Sequence, residues 1–353
     1  MIRCLLVVVL AVMSAAAVPP VKRGPVITGA APKASVKVPP RTPPKKQPSK
    51  SVLPVSSRPV PPAAGKGPMA PYRGAIAVDA DTGRILFGDH ETRTGYPASC
   101  TKLMTFLLVL EDLRDRKYKL TDVISSSHYA ASQEPSRVDF PVGKTMTIND
   151  LLYALMLRSA NNAAVALAEH SAWIRSGKSG PPPQELKPGD LTLVNAFVTR
   201  MNRRAQELGM SSSRYASPNG LPPPAGSKRG FDTSTAADLS ILARTLVKMP
   251  EALVYTREAT RRITDGTGKV DTLVNHNYFV AKNQDPKNLC TPLKECDGLK
   301  TGFTSASGSS IVLTAQRRGR RVVVVVLGSA GRHERERAAG CLIRDALDAV
   351  SLW

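Results

Sequence analysis

The stretch Pro97-Ala98-Ser99-Cys100-Thr101-Lys102-Leu103-Met104-Thr105 opens an apolar run that continues to Leu110 and is typical of a buried helix. Residues three apart share one face of a helix, so the amine of Lys102 can reach the hydroxyl of Ser99. A serine becomes a good nucleophile only with a base within hydrogen-bond reach, and a lysine is such a base only when burial or a nearby cation lowers its pKa. Alone, the spacing more often marks a helix N-cap serine followed by a surface lysine. The meaning of this pair therefore depends on the rest of the chain.

Apolar strands near both ends of the chain enclose a set of helices. Gly74–Ala80 and Ile85–Phe87 predict one β-hairpin; Ser310–Ala315 and Val322–Leu327 predict a second, joined by an arginine-rich turn at 317–321 that we expect to be solvated. Between and after them, apolar periodicity predicts helices over residues 99–115, 147–158, 162–173, 191–208, 235–248 and 334–350. This order predicts an α+β fold, with one antiparallel sheet flanked by helices plus a helical subdomain, and an active site where the two meet.

The first 71 residues differ in composition from the rest and divide into two segments. Residues 1–17 combine Arg3, a short apolar run and an Ala15–Ala17 cleavage pattern, which predicts a signal peptide, with an uncleaved N-terminal anchor as the alternative. Residues 18–71 hold 15 of the 29 prolines and ten Lys or Arg without any Asp or Glu, which predicts a disordered linker. We therefore expect an exported protein, located in the periplasm, the cell wall or outside the cell, with one folded domain over residues 72–353.

The basic linker supplies about half of the net charge of +21. This charge favours electrostatic contact with an anionic cell wall or membrane, and a solvated spacer without any partner is the open alternative. Nucleic acid is not an expected partner, because an exported chain rarely meets it and no basic motif with interleaved aromatic residues is present.

Cysteine and histidine usage limits the chemistry further. Cys290 and Cys296 flank a short loop and predict a disulfide in an oxidising compartment. Cys100 and Cys341 are typical of small buried apolar residues. The chain has no C-x-x-C pair and its five histidines are scattered, so the sequence predicts no metal site.

Three short motifs stand in order along the chain: Ser99-x-x-Lys102, Ser159-x-Asn161 and Lys300-Thr301-Gly302. Each one alone is weak, and Ser159 or Asn161 could simply cap the helix that follows. All three together, at the ends of predicted elements where side chains can converge, form a specific catalytic pattern.

With these motifs, the chain resembles the D-alanyl-D-alanine carboxypeptidases, which are low-molecular-mass penicillin-binding proteins of the serine peptidase type. The resemblance covers about Ala70 to Trp353 and implies the β-lactamase/transpeptidase-like fold of that family. The matching segments are Ala98–Thr105, Leu157–Ala164, Ser217–Leu221 and Asp297–Thr304. Many members carry a further β-rich domain and a C-terminal amphipathic helix, which we do not expect here, so the N-terminal segment is the expected tether.

The resemblance implies roles for the residues of the first two motifs. Ser99 attacks the carbonyl of the terminal D-Ala-D-Ala bond and carries the acyl group. Lys102 takes the proton of Ser99, with its pKa lowered by burial and by Lys300. Ser159 relays a proton to the leaving amine, and Asn161 binds the substrate backbone.

The third motif and its surroundings acquire binding roles in the same way. Lys300 and Thr301 hold the terminal carboxylate, while Gly302 lets the strand approach closely because it has no side chain. The backbone N–H groups of Ser99 and Phe303 form the oxyanion hole. Counted along the final strand and turn, Arg335 falls where members of this family have an arginine near the substrate carboxylate, although Arg332, His333 and Arg337 crowd the same helix start.

The implied activity is removal of the terminal D-alanine from peptidoglycan stem pentapeptides, without any cofactor and with β-lactams as acylating inhibitors. A D,D-endopeptidase that cleaves peptidoglycan cross-links shares every motif and stays open. A non-catalytic wall-binding module is the alternative from another class, but it has no need of an activated serine.

Some features depart from the family pattern. Ala160 stands where glycine is common and Asn162 where aspartate is common, and neither is a reacting group. The 176–190 insert is long for the family and could reshape the rim of the cleft or bind a partner. A class A β-lactamase is disfavoured, because no E-x-x-L-N segment supplies the carboxylate that such an enzyme needs for deacylation.

Overall fold

The two predicted hairpins come together in one sheet. The computed structural model describes residues 72–182, 190–224, 227–281 and 293–351, so the predicted signal peptide and linker lie outside the described residues, as does part of the 176–190 insert. In chain order, the described elements are β1 (Gly74–Asp79), β2 (Ile85–Asp89), a 3₁₀ turn (Ala98–Thr101), α1 (Lys102–Arg114), β3 (Val123–Ser125), α2 (His128–Ala131), β4 (Thr145–Thr147), α3 (Ile148–Met156), α4 (Asn161–Arg175), α5 (Thr192–Glu207), α6 (Ala236–Val247), α7 (Pro250–Thr256), β5 (Thr260–Thr264), β6 (Val270–Val274), β7 (Cys296–Thr304), β8 (Gly308–Arg317), β9 (Arg320–Ser329) and α8 (Arg332–Ser351).

The main sheet has five antiparallel strands in the order β2-β1-β9-β8-β7. Successive valines of β9 enter different cores: Val323 and Val325 pack on one face of the sheet, and Val322 and Val324 on the other. Side chains of a strand alternate between the two faces, so an uninterrupted valine run requires that both faces are covered. The predicted antiparallel sheet flanked by helices is therefore confirmed.

Helices cover the two faces unequally. One face packs against α8 alone among the described helices, while α1 and α6 pack on the opposite face. There α3, α4 and α5 add to the same core and complete the helical subdomain beside the sheet. Within the part of the chain that the structure describes, no helix is both long enough and apolar enough to span a bilayer.

Side-chain caps fix where several helices begin. Thr147 accepts the N–H of Asp150 at the start of α3, and Thr235 accepts the N–H of Asp238 at the start of α6. Pro250 follows α6 and also occupies the first turn of α7, where its missing N–H has no helical partner to lose.

The two small sheets β3–β4 and β5–β6 are not predicted by the sequence. Strands of three residues are too short to show alternation, and β5 exposes four of its five residues, so neither carries the apolar pattern that marks a strand.

The predictions for the cysteines have different outcomes. Cys100 is a buried free thiol, as expected, but the prediction that Cys341 is buried is wrong. Cys341 is exposed because it lies on the face of α8 that points away from the sheet, whereas its neighbour Leu342 packs into the core. Cys296 is a buried free thiol, and its predicted partner Cys290 lies outside the described residues, so that pairing stays a prediction.

The arginine-rich turn between β8 and β9 is not simply solvated as expected. Three of its arginines form ion pairs with carboxylates, namely Arg317 with Glu295, Arg320 with Asp79 and Arg321 with Asp297. These pairs tie the end of the hairpin to β1 and to the start of β7, a long-range arrangement that a local run of arginines does not reveal.

Candidate active site

The predicted nucleophile lies in a tight backbone turn. Ser99 belongs to the 3₁₀ turn before α1, and the preceding Ala98 has a φ of 48°, which non-glycine residues rarely adopt. Two glycines let other segments approach this turn closely. A Cβ at Gly220 would lie 1.9 Å from the carbonyl oxygen of Ala98, and one at Gly302 would lie 2.7 Å from that of Pro97. Ser99 is therefore held between the turn at Gly220 and strand β7.

Lys102 is fully buried, and its amine is surrounded by oxygen atoms. Its Nζ lies 3.0 Å from Oγ of Ser99, 2.7 Å from Oδ1 of Asn161 and 2.7 Å from the carbonyl oxygen of Asn219. A neutral amine has two N–H donors and one lone pair, and the two amide oxygens can only accept. The neutral amine therefore donates to both amide oxygens and directs its lone pair at the Ser99 hydroxyl, as a general base requires.

The electrostatic surroundings favour this neutral form. Burial lowers the pKa of Lys102 well below its ordinary value, and the Lys300 cation lowers it further. Cys100 and Asp232 act weakly in the opposite direction. Both causes that the sequence predicts for a lowered pKa, burial and a second lysine, are thus present in the structure.

The second motif lies between α3 and α4. Asn161 begins α4, donates its backbone N–H to the carbonyl oxygen of Ser136 at 2.7 Å and accepts from Lys102. Ser159 has a φ of 61°, and its buried Oγ has no hydrogen-bond partner among the described residues. The structure therefore brings Asn161 into contact with Lys102, whereas the proton relay through Ser159 stays a prediction.

The third motif lies on the edge strand β7. Lys300 is buried, and its Nζ donates to the carbonyl oxygen of Thr301 at 2.9 Å. The thiol of Cys100, next to the nucleophile, lies 3.8 Å from the carbonyl oxygen of Lys300 and connects the strand to the nucleophile turn. Burial lowers the pKa of Lys300 to about 8, and Arg335 contributes in the same direction. A cation at this position suits an anionic group of a ligand.

Arg335 lies behind the third motif. Its Nη1 is 3.4 Å from the carbonyl oxygen of Ser310, which stands opposite Gly302 in the β7–β8 pair, and its Nη2 pairs with Glu336. The guanidinium is buried and engaged within the protein, so its predicted contact with a substrate carboxylate stays a prediction. The side chain of Phe303 is 64% exposed, and the predicted oxyanion role of its backbone N–H also stays a prediction.

Sequence reasoning missed the contribution of Asn219. The segment Ser217–Leu221 contributes to the resemblance, but the sequence assigns it no role. In the structure, the carbonyl oxygen of Asn219 accepts from Lys102, and its Nδ2 donates to Oε1 of Gln133 at 2.9 Å. Pro-Asn-Gly predicts a turn, but residue type does not indicate where a backbone carbonyl points, so the sequence carries no signal for this contact.

We identify no candidate metal ligands within residues 72–182, 190–224, 227–281 and 293–351. No three His, Cys, Asp or Glu side chains gather there closely enough to hold a metal ion.

A serine beside a buried lysine, at the junction of an antiparallel sheet and a helical subdomain, is the arrangement of penicillin-binding serine peptidases. The sequence profile described as D-alanyl-D-alanine carboxypeptidase matches residues 67–175 and 192–331, and the chain belongs to this family.

Curated relatives agree with that assignment. The chain is 29% identical over 263 residues to the D-alanyl-D-alanine carboxypeptidase DacF of Bacillus subtilis, covering 74% of this chain and 59% of the relative. It is 29% identical over 276 residues to DacB2 of Mycobacterium tuberculosis, covering 78% and 79%. A D-alanyl-D-alanine endopeptidase of Escherichia coli is 26% identical over 264 residues, covering 73% and 72%. The chain thus spans less than two thirds of the Bacillus relative but more of the other two.

Solved structures share the fold. The peptidoglycan synthesis regulatory factor PBP3 of Streptococcus pneumoniae superimposes with a TM-score of 0.65 at 28% identity, covering 80% of this chain and 74% of that one. Penicillin-binding protein D2 of Listeria monocytogenes, solved in its ampicillin-bound form, gives a TM-score of 0.59 at 26% identity, covering 80% and 99%.

Proposed function

We propose that this protein is a serine D,D-carboxypeptidase, which removes the terminal D-alanine from peptidoglycan stem pentapeptides through an acyl-enzyme on Ser99. The observation that carries the proposal is the environment of Lys102. The two N–H donors of its neutral amine bind the side-chain oxygen of Asn161 and the backbone carbonyl oxygen of Asn219, which leaves the lone pair for the Ser99 hydroxyl. A structural lysine has no need of this arrangement.

Acylation starts when Oγ of Ser99 attacks the carbonyl carbon of the terminal D-Ala-D-Ala bond and its proton passes to Nζ of Lys102. The resulting oxyanion lies against backbone N–H groups, for which those of Ser99 and Phe303 are the candidates. The C–N bond then breaks, and the leaving D-alanine amine takes a proton from Lys102, directly or through Ser159. Water then attacks the ester carbonyl carbon and gives a proton to Lys102, the bond between Oγ of Ser99 and the acyl carbon breaks, and Lys102 returns the proton to Oγ.

Substrate orientation comes from the wall of the cleft. The cation of Lys300, on an edge strand next to the nucleophile turn, is the proposed partner of the terminal carboxylate, together with Thr301 and with Arg335 behind the strand. Gly302 keeps this strand within reach of Ser99 because a side chain there would meet the Pro97 carbonyl.

The test of this proposal is intact-mass spectrometry of the purified protein after incubation with benzylpenicillin, beside Ser99→Ala, followed by D-alanine release from a stem pentapeptide. A β-lactam presents a strained amide whose amine stays attached after ring opening, so the acyl group persists and can be weighed. We expect an adduct on the wild type, none on Ser99→Ala, and D-alanine release by the wild type only. A folded wild type without an adduct would contradict the catalytic proposal and favour the wall-binding module.

A D,D-endopeptidase is the second candidate, favoured by the endopeptidase name of the Escherichia coli relative. It cleaves the same kind of bond within a cross-link, so the described active-site residues serve either reaction. The two activities are separated by comparing initial rates on a stem pentapeptide and on a cross-linked peptide dimer. A penicillin adduct together with cleavage of the dimer alone indicates the endopeptidase.

We further propose that the protein is exported and that its basic linker, residues 18–71, contacts an anionic wall or membrane. The apolar run with its Ala15–Ala17 pattern and the excess of Lys and Arg support this proposal. Cell fractionation with N-terminal sequencing tests export and cleavage. Binding of the full chain to isolated cell walls at rising salt, compared with a variant whose ten linker cations are replaced by glutamine, tests the contact, which should weaken with salt.

A further inference from the structure

The turn Tyr215–Leu221 passes directly beside the nucleophile, and the proposed mechanism uses only one of its carbonyl groups. The Pro218 carbonyl accepts from Oγ1 of Thr105 at 2.6 Å, and the next carbonyl, that of Asn219, accepts from Lys102 at 2.7 Å. Both contacts are made on the first turn of α1. The position of this turn therefore decides where the second hydrogen of the Lys102 amine points.

A buried carboxylate holds the turn from the other side. Asp232 is 4% exposed, and its Oδ1 accepts the backbone N–H groups of Ala216 at 2.7 Å and Ser217 at 3.0 Å. Its Oδ2 accepts the Ser217 hydroxyl at 2.6 Å, and that hydroxyl in turn accepts the N–H of Gly220 at 2.9 Å. The carboxylate and the serine thus fix both ends of the Ser217–Gly220 turn, with Asn219 between them.

The turn has little freedom to settle elsewhere without displacing the nucleophile. Gly220 has a φ of 83° and packs so closely on the Ala98 carbonyl that a Cβ there would lie 1.9 Å from its oxygen. Buried, charge-assisted hydrogen bonds are stronger than neutral ones, so a carboxylate is well suited to hold such a crowded turn.

We propose that Asp232 is a positioning residue, which acts through Ser217 to hold the Asn219 carbonyl on the Lys102 amine and so aims the lone pair of that amine at Ser99. The inference rests on the proposed function, since it assigns Asp232 to the base of that reaction. Asp232 touches neither the nucleophile nor the base, and its effect is transmitted by the turn.

Asp232 also has an electrostatic effect on the base. The charged or titratable groups that act on Lys102 are Lys300 on β7, Cys100 in the 3₁₀ turn and Asp232 before α6. The negative charge of Asp232 favours the ammonium form and so raises the pKa of Lys102, against the larger opposing effects of burial and Lys300. Burial raises the pKa of Asp232 itself, whereas its hydrogen bonds from Ser217 and Ala216 and the charge of Arg229 favour the carboxylate. Removing the charge of Asp232 should therefore leave Lys102 neutral at lower pH.

Asp238 provides a matched control. It is likewise a buried aspartate whose carboxylate accepts a backbone N–H, from Ser212 at 2.9 Å, and a serine hydroxyl, from Ser213 at 2.8 Å. Its charge is not among those acting on Lys102. Asp232→Asn and Asp238→Asn therefore remove similar structural bonds, and only the first changes the charge beside the base.

The experiment measures the second-order rate of acylation by benzylpenicillin from pH 5 to pH 9, together with the melting temperature, for the wild type and four variants. We expect Asp232→Asn to move the acidic limb of the profile to lower pH by about half a pH unit or more, given the strength of charge interactions in a protein interior. Ser217→Ala should lower the plateau by roughly 10- to 100-fold, as expected for a catalytic group misplaced by about 1 Å. Ser217→Thr, which keeps the hydroxyl, should restore most of that loss, and Asp238→Asn should change only the melting temperature.

The outcomes separate this inference from the proposed function. A wild type that forms no adduct contradicts the proposed function itself. A wild type that reacts, while Asp232→Asn and Ser217→Ala keep the wild-type limb and plateau, overturns the positioning role. If Asp232→Asn does not fold, the contrast between Ser217→Ala and Ser217→Thr still decides the question, because a purely structural turn would lower the melting temperature without a change in acylation rate.

Discussion

The candidate active site contains two buried lysines whose surroundings differ, and the difference matches the two roles proposed for them, a base and a carboxylate partner. Lys102 is 0% exposed and contacts three oxygen atoms, those of Ser99, Asn161 and Asn219. We call these four residues the floor of the site. Lys300 is 1% exposed and donates to the Thr301 carbonyl beside it on strand β7. We call this part of β7 the wall of the site. Equal burial therefore does not give equal chemistry. The contacts of Lys102 suit the proposed base, and those of Lys300 suit the proposed partner of a substrate carboxylate.

The largest expected effect is on the floor. Lys102→Met should lower the rate of benzylpenicillin acylation by about 10²- to 10⁴-fold, the usual contribution of a general base. Methionine fills a similar volume, but the oxygens of Asn161 and Asn219 lose their donor, so the melting temperature should fall by a few degrees while the protein stays folded. Acylation is measured with intact-mass time courses and folding with circular dichroism. A variant within tenfold of the wild-type rate would show that Ser99 does not depend on Lys102.

Glycine substitutions test how tightly the floor holds the nucleophile. Gly220→Ala forces a Cβ against the Ala98 carbonyl at a φ of 83°, so acylation should fall by roughly 10²-fold as Ser99 shifts. Gly209 has a φ of 81°, and a Cβ added there would meet nothing within 4 Å, so Gly209→Ala tests the backbone strain alone. The control should lose about 1 kcal/mol of stability and keep its acylation rate. Equal acylation rates in the two variants would contradict a tight floor.

Substrate binding by Lys300, on the wall, should depend on pH. The pKa of Lys300 is lowered to about 8 by burial, so its charged fraction falls as the pH rises through 8. Weaker attraction for the substrate carboxylate should raise KM for the stem pentapeptide by about tenfold between pH 7 and pH 9, with a smaller change in kcat. Lys300→Arg keeps its charge over this range, so its KM should not show this rise. A wild-type KM that is constant up to pH 9 would exclude Lys300 as the main carboxylate partner.

The floor and the wall also differ in how far the sequence reveals them. The three-residue spacing of Ser99 and Lys102 and the uninterrupted valines of β9 are local patterns with a direct physical meaning, and both the contact and the sheet follow from them. The contact between the Asn219 carbonyl and Lys102 joins residues more than a hundred positions apart and depends on the direction of the backbone in the turn that Asp232 holds. No local sequence pattern encodes such a contact. The pKa of Lys102 can be argued in direction because burial and a second cation are both evident from the motifs.

The failures of prediction have the same origin. Residue type alone predicts Cys341 to be buried, whereas the face of α8 on which it lies decides its exposure. The arginine turn is predicted to be solvated because its partners Glu295, Asp79 and Asp297 are distant in sequence. Residue type therefore indicates whether a side chain can be buried or exposed, and the tertiary fold decides which groups it contacts.

The smallest expected effect is at Cys100, which follows the proposed nucleophile and contacts the strand that carries Lys300. Its Sγ is 3.8 Å from the Lys300 carbonyl, and burial raises the pKa of the thiol to about 11 despite the opposing effects of Lys300, Arg335 and Lys102. The sulfur is therefore protonated near neutral pH and acts as a small packing group, since only a thiolate is a strong nucleophile.

Cys100→Ala should accordingly keep acylation within about threefold of the wild type, because it removes one weakly bonded buried sulfur and leaves both amines in place. Iodoacetamide should modify the exposed Cys341 in the native protein and leave Cys100 unmodified, as read by peptide mapping, with no loss of acylation in wild type or in Cys341→Ser. A loss beyond tenfold in Cys100→Ala would mean that the sulfur–carbonyl contact couples the wall to the floor. The two lysines would then be coupled through this contact as well as through the effect of the Lys300 charge on the pKa of Lys102.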